Sequence, residues 1–186
     1  MFQVRIHGRG GQGVVTGAEM LSVAAFREGK HAQAFPSFGS ERMGAPVVSF
    51  CRIDDKEIRL REPIMEPDAL IVQDPTLFHS LDVFQGLNPQ GYVLVNSSRS
   101  LDELGLAEIR DRLPPGHVRT VAATELALKF VRRPVPNAAL LGGFSAMTDM
   151  IHMESVKAAI REAFPNPIAE ANIAAASEAY EVTRAA

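Results

Sequence analysis

Val4-Arg5-Ile6-His7-Gly8-Arg9-Gly10-Gly11-Gln12-Gly13 follows Met1-Phe2-Gln3, and a helical pattern starts at Val14. A short apolar strand that leads through a glycine-rich turn into a helix places backbone N–H groups against anionic ligands in α/β proteins. The glycines at positions 8, 10 and 13 satisfy the G-x-G-x-x-G spacing. This stretch predicts a Rossmann-like α/β fold and a first candidate site.

The glycine spacing alone does not decide the ligand. In dinucleotide-binding proteins, an acidic residue roughly 20 residues beyond the glycines binds the ribose hydroxyls. The predicted second strand, His31 to Phe35, contains no acid, and the nearest one, Glu28, lies near the end of the first helix. A phosphate loop of the Gly-Lys-Ser/Thr type is also absent from the sequence. A nucleotide site and a purely structural tight turn both remain open at this point.

The rest of the chain alternates between predicted strands and helices. The apolar patterns predict helices over residues 14–28, 123–131 and 138–150, two further C-terminal helices, and strands at 31–35, 46–53, 69–72, 92–95 and 118–121. Asp54-Asp55-Lys56 predicts a hairpin into a short strand at 57–60, and Asn166 with Pro167 predicts the start of the last helix. We expect one domain over residues 1–186, a three-layer α/β/α sandwich with a mostly parallel mixed sheet and one hairpin.

Composition limits the function classes. The formal net charge of −3 disfavours a nucleic-acid partner, because no basic excess is present. A single cysteine, Cys51, cannot form an internal disulfide or hold an iron–sulfur cluster, and its apolar strand predicts that it is buried. The N-terminus does not resemble a secretory leader and no apolar run reaches membrane-spanning length, so we expect a cytoplasmic protein without a membrane partner.

The polar side chains form no convincing catalytic group or metal site. The five histidines are scattered, and His7 is either a ligand contact beside the glycine turn or a structural histidine. Asp74 is expected to face the same cleft or to cap a helix, and Asn137 is expected to cap another. The methionines at 147, 150 and 153 predict packing, and the alternating segment 56–62 predicts an exposed edge or subunit contact.

A second glycine-containing loop gives the chain a family resemblance. Together with the first turn, Phe38-Gly39-Ser40-Glu41-Arg42-Met43-Gly44 resembles the γ subunit of the 2-oxoacid:ferredoxin oxidoreductases. The family pattern has Arg-Gly where this chain has Met43 between Arg42 and Gly44. Three later segments also resemble the family, namely 72–77, 136–142 and 170–172. The likeness therefore covers nearly the whole chain.

The resemblance implies a role that composition cannot supply. It implies a subunit, without a complete active site of its own, of an enzyme that converts a 2-oxoacid and coenzyme A into an acyl-CoA while reducing ferredoxin. The implied partners are α, β and δ subunits, which carry thiamine diphosphate, Mg²⁺ and iron–sulfur clusters, while this chain binds no cofactor alone. The residues expected to face coenzyme A or a partner chain are Gly8, Arg9, Gly10, Gly11, Gln12 and Gly13. Gly39, Glu41 and Arg42 are expected to shape the adjoining loop of this binding site, and the alternative for Glu41 and Arg42 is that they form ion pairs that hold the loop. The sequence has the length of the γ subunit alone and is not fused to the other subunits, so the resemblance implies a hetero-oligomer. A free-standing dinucleotide enzyme and a purely structural subunit are the alternatives.

Overall fold

A six-stranded sheet forms the centre of the structure, a computed structural model that describes residues 1–37 and 42–186. The strand order is β2-β3-β1-β4-β5-β6. Its strands are β1 (Phe2–Arg9), β2 (His31–Pro36), β3 (Pro46–Asp54), β4 (Ala69–Val72), β5 (Tyr92–Asn96) and β6 (Val118–Val121). The carboxyl ends of β1, β4, β5 and β6 meet at one edge, which we call the carboxyl edge, because these four strands pair in parallel.

The sheet is mixed because β3 turns back between two strands of the other direction. It pairs antiparallel with β1 on one side and with β2 on the other. The expected mostly parallel mixed sheet is therefore confirmed, with the antiparallel pair β2 and β3 in place of the predicted hairpin from β3 into residues 57–60. The predicted strand at 57–60 is wrong: those residues are irregular and largely exposed. Since β2 already occupies the free side of β3, the segment after Asp54 instead crosses the sheet, and Arg5 binds its Ile64 carbonyl oxygen.

Helices cover both faces of the sheet, but unequally. Five of them pack with one continuous apolar core on the first face: α1 (Val14–Arg27), α3 (Ala123–Phe130), α4 (Asn137–Thr148), α5 (Met153–Ala163) and α6 (Ile168–Ala185). The second face carries a 3₁₀ turn (Pro75–His79), the short α2 (Ala107–Arg112) and a smaller cluster around Leu70, Val72 and Val95. This arrangement is the expected three-layer sandwich.

Two predicted helix starts differ from the structure. Asn137 is the first residue of α4, whose N-cap is Pro136, and its side chain binds elsewhere, as shown below. Pro167, not Asn166, is the N-cap of α6, and the peptide bond between them is cis. The sequence pattern also did not predict α2, none of whose residues is buried. The three methionines are partly buried against the main core, as predicted.

Candidate functional site

The glycine-rich turn after β1 packs closely against residues 42–45, which we call the strap. The N–H of Gly10 donates to the Ala45 carbonyl (2.8 Å), and the N–H of Gly44 donates to the Gly10 carbonyl (3.0 Å). A Cβ on Gly10 would collide with the carbonyl oxygen of Arg42, and one on Gly11 with the Met43 sulfur. The strap therefore covers this side of the turn, and protein atoms account for glycine at both positions.

The other two glycines of the pattern are also enclosed by protein. A Cβ on Gly8 would lie 2.5 Å from a Val14 methyl carbon. Gly13 has a positive φ of 73°, and a Cβ there would collide with the side-chain amide of Asn137. Tight packing thus explains the G-x-G-x-x-G spacing without an open dinucleotide cradle. Gly13 nevertheless leaves the start of α1 without a side-chain cap and with no acid in its first turn, and such helix starts favour anions.

Arg9 connects three segments beside the turn. Its guanidinium lies 3.3 Å from a carboxylate oxygen of Asp74 and donates to the Thr76 hydroxyl (3.0 Å) and to the Gly44 carbonyl (3.1 Å). Arg9 therefore joins the strap to the start of the 3₁₀ turn. Arg42, in contrast, is exposed on the strap. The other two predicted loop residues, Gly39 and Glu41, lie outside the described residues.

Gln12 fixes the shape of the turn from within. Its side-chain oxygen accepts the N–H of Arg9 (2.8 Å), and its side-chain amide donates to Asp74 (2.9 Å). Asp74 also caps the 3₁₀ turn by accepting the N–H of Thr76 (3.0 Å), so both sequence-based expectations for this residue are confirmed. Partial burial tends to raise the pKa of Asp74. The hydrogen bonds from Thr76 and Gln12 and the charge of Arg9 outweigh it, and the pKa is lowered.

Three amide side chains form a chain of hydrogen bonds along the carboxyl edge, which we call the amide relay. Asn137 donates to the Gly13 carbonyl (3.1 Å), and Gln73 donates to the Gln12 carbonyl (2.7 Å). Asn96 donates to the Gln73 carbonyl (2.9 Å). The relay connects α4, the glycine turn, β4 and β5 without a charged side chain.

The relay continues into α3 through Thr124. Asn96 donates to the Thr124 hydroxyl (2.8 Å) and accepts the Thr124 N–H (3.1 Å), so both hydrogens of its amide are used. Sequence reasoning missed Gln73 and Asn96. Each lies at or directly after the end of an apolar parallel strand, and a polar residue at that position was the available signal.

A pocket of about 350 Å³ opens above this relay at the carboxyl edge. We call it the edge pocket. The glycine turn, the ends of β4 and β5 and the start of α3 contribute its lining residues, which are Gln12, Gln73, Asp74, Pro75, Asn96, Ser97, Ser98, Ala122, Thr124 and Glu125. None of them is basic.

His7 is a buried side chain rather than a wall of this pocket. Its Nε2 accepts a hydrogen bond from Arg5 (3.0 Å), while Nδ1 has no partner among the described residues. Burial, and then the charge of Arg5, lowers the pKa of His7 to about 4. The structural interpretation of His7 is therefore favoured. Arg5 also donates to the carbonyls of Ile64, Val83 and Gln85.

The described residues offer no place for a metal or cluster. Within residues 1–37 and 42–186, no three His, Cys, Asp or Glu side chains are grouped as ligands. Cys51 is fully buried, as predicted, and burial raises the pKa of its thiol to about 12. Across the same described ranges, no helix combines the length and apolarity needed to cross a membrane.

The fold and site together define a Rossmann-like α/β protein with a closed glycine turn and a polar pocket at its carboxyl edge. The chain belongs to the pyruvate ferredoxin/flavodoxin oxidoreductase family, which it matches over residues 3–182. It is 46% identical over 183 residues to the common subunit gamma of the pyruvate/ketoisovalerate oxidoreductases of Thermococcus kodakarensis, covering 98% of this chain and 97% of that one.

Two further relatives support the same assignment. The subunit PorC of the pyruvate synthase of Methanocaldococcus jannaschii is 46% identical over 181 residues, which is 97% of this chain and 96% of the relative. The crystal structure of the pyruvate oxidoreductase subunit PORC from Thermotoga maritima has a TM-score of 0.81 and 34% identity, covering 97% of this chain and 95% of that one. The chain therefore corresponds over nearly its whole length to gamma subunits of an oxidoreductase complex.

Proposed function

We propose that this chain is the γ subunit of a hetero-oligomeric, cytoplasmic enzyme that oxidatively decarboxylates pyruvate or a related 2-oxoacid to an acyl-CoA and reduces ferredoxin or a similar acceptor. The observation that carries the proposal is the match, over 98% of this chain, to a gamma subunit named for pyruvate and ketoisovalerate. The α, β and δ subunits supply thiamine diphosphate, Mg²⁺ and the iron–sulfur clusters. The single buried cysteine of this chain fits that division, since a cluster needs several accessible thiolates.

Purification of the tagged chain from its own host tests this assignment. We expect companion polypeptides in fixed ratio, together with thiamine diphosphate, iron and 2-oxoacid-dependent reduction of an acceptor. A chain that purifies alone and binds a nicotinamide or flavin nucleotide contradicts the proposal and favours a free-standing dinucleotide enzyme. Assay of pyruvate, 2-oxoisovalerate, 2-oxoglutarate and aryl 2-oxoacids on the same preparation then identifies the substrate.

We further propose that the turn and strap contribute to the coenzyme A site. The uncapped start of α1 supplies backbone N–H groups for a phosphate, and Arg42 is an exposed cation on the strap that packs against Gly10. Arg9 is proposed to position the strap rather than to contact the ligand, because its guanidinium is bound to Asp74, Thr76 and Gly44. The strap is thereby held beside the helix start.

Substitution of the two arginines in the assembled enzyme tests the coenzyme A role. We expect Arg42→Ala to raise the KM for coenzyme A roughly tenfold, the loss of about one charge-assisted hydrogen bond. Arg9→Ala is expected to raise the same KM by loosening the strap. Arg112→Ala, which removes an exposed arginine on α2, is the matched control. If both Arg9→Ala and Arg42→Ala leave the KM unchanged, the coenzyme A role is wrong and a structural subunit is favoured.

A further inference from the structure

We propose that the end of α3 carries a docking surface for an acidic face of a companion subunit. The surface, which we call the α3 patch, consists of Leu128, Arg132, Arg133 and Val182. This inference rests on the proposed function, which supplies the companion subunits, and it names a part of this chain that one of them covers. Neither arginine lines the edge pocket, so the patch is separate from the pocket at the carboxyl edge.

The backbone at Arg132 adopts a conformation that seldom accommodates an L side chain. Its φ is 66°, and its N–H donates to the Ala127 carbonyl (3.0 Å) at the end of α3, a position where glycine is favoured. Among the described residues, every other position with a positive φ is glycine except Asp149, and aspartate is one of the residues that tolerate this conformation. Arginine here therefore costs conformational free energy, which favours a role for its side chain.

The positive charge of the α3 patch is not balanced within the chain. Arg132 and Arg133 are exposed and form no ion pair with the described residues. Lys129, in contrast, lies 2.9 Å from the carboxylate of Glu178, and it is the basic residue in the last turn of α3, where a cation suits the helix dipole. The two arginines are thus a local excess of positive charge in a chain of formal net charge −3. Carboxylates of another chain are the complementary groups, because a guanidinium binds them through two parallel hydrogen bonds.

Exposed apolar side chains extend the α3 patch and favour a protein over a small anion. Leu128 of α3 is 47% exposed, and Val182 of α6 is 52% exposed. Val182 lies one turn beyond Glu178, which pairs with α3. Since residues 132–134 are all exposed, the arginines lie on an open surface rather than in the cleft that encloses a small ligand. Arginine beside exposed apolar side chains is typical of a protein interface.

Release of this chain from the purified complex tests the assignment. A dilution series at near-physiological salt, followed by native mass spectrometry, gives the apparent Kd of the chain for its companions. We expect Arg132→Glu combined with Arg133→Glu to raise this Kd roughly tenfold or more, because like charges then face each other. Arg110→Glu combined with Arg112→Glu makes the same change of charge on α2, where each arginine already lies within 4.0 Å of a carboxylate. This control is expected to keep the Kd within about twofold.

Single substitutions at Arg132 separate its charge from its backbone conformation. Arg132→Lys keeps the charge and is expected to keep the Kd within about threefold. Arg132→Gly suits the backbone better but removes the charge, so we expect it to raise the Kd about fivefold. A glycine variant or a double variant that binds as tightly as the wild type overturns the inference, while the proposed function stands. If the wild-type chain purifies without companions, both fail.

Discussion

The side-chain amide of Asn137 occupies the space in which a Cβ of Gly13 would lie, and it donates a hydrogen bond to the Gly13 carbonyl (3.1 Å). The two residues are 124 positions apart in the sequence. This contact holds the start of α4 against the start of α1, so the geometry of the glycine turn depends on a helix from the second half of the chain. Glycine at position 13 is required by both backbone conformation and packing.

Gly13→Ala is therefore expected to reduce the free energy of unfolding by about 3 kcal/mol, from the positive φ together with the collision with Asn137. Chemical denaturation measures the change. Gly29→Ala is the matched control, because Gly29 has a similar φ of 80° but nothing within 4 Å of an added Cβ. It is expected to lose only about 1 kcal/mol. Equal losses at the two positions would show that the Asn137 contact contributes nothing.

Arg5→Met is expected to destabilise the fold by about 3–5 kcal/mol, because it leaves three backbone carbonyls on the second face of the sheet without their donor. Urea denaturation measures this loss. Arg5→Lys keeps the charge but not the forked geometry, so we expect an intermediate loss. Full stability of the lysine variant would mean that charge, rather than the three separate hydrogen bonds, holds the segment from Ile64 to Gln85 on the sheet.

The buried His7 makes stability depend on pH in a defined direction. Its pKa falls from 6.5 to about 4 on folding, so between these values the unfolded chain binds a proton that the native chain does not. The free energy of unfolding should therefore fall by up to about 3 kcal/mol as the pH drops from above 6.5 to 4.

The measurement for His7 is a series of denaturation curves across that pH range. His7→Gln is expected to remove this part of the pH dependence while it retains an acceptor for Arg5. His79→Gln, at an exposed histidine, is the control and should follow the wild-type profile. Parallel profiles for wild type and His7→Gln would show that His7 does not control the acid sensitivity.

Cys51 is expected to resist alkylation in the native protein, because its thiol is fully buried and its pKa is raised to about 12. Mass spectrometry after treatment with iodoacetamide should find modification only when denaturant is present. A variant with a second cysteine at an exposed position, Ser98→Cys, provides the internal comparison, since the new thiol should react under native conditions. Rapid native modification of Cys51 itself would contradict the burial described here.

Local sequence signals predicted most of the regular structure but not the partners of the strands. The apolar run at 69–72 falls at β4 to the residue, because a strand buried on both faces needs apolar side chains throughout. The strand predicted at 118–121 also matches the bounds of β6. The hairpin was misplaced because Asp54-Asp55-Lys56 is a good turn sequence, whereas strand pairing depends on which side of β3 is free. That information is not local.

In the candidate site, too, the features with local sequence signals were predicted and those that depend on distant partners were not. The glycine turn, Arg9 and Asp74 were identified from one short segment each, since strand ends and glycine spacing are visible locally. Gln73 and Asn96 were missed because each acts by binding the backbone of another element. Amides that bind distant carbonyl oxygens have no spacing rule, so only the folded chain brings them together.

The amide relay also bears on how the assembled enzyme responds to its medium. Its side chains, Asn137, Gln73, Asn96 and Thr124, have no group that gains or loses a proton in the ordinary range. Added salt likewise has no net charge to screen there. The part of the edge pocket that is lined by Gln73, Asn96 and Thr124 should therefore keep one shape from mildly acidic to mildly alkaline solution. Under the proposed coenzyme A role, a change of coenzyme affinity with pH or ionic strength would then report on the ligand's phosphates or on Asp74 and Glu125, and not on the shape of the amide relay.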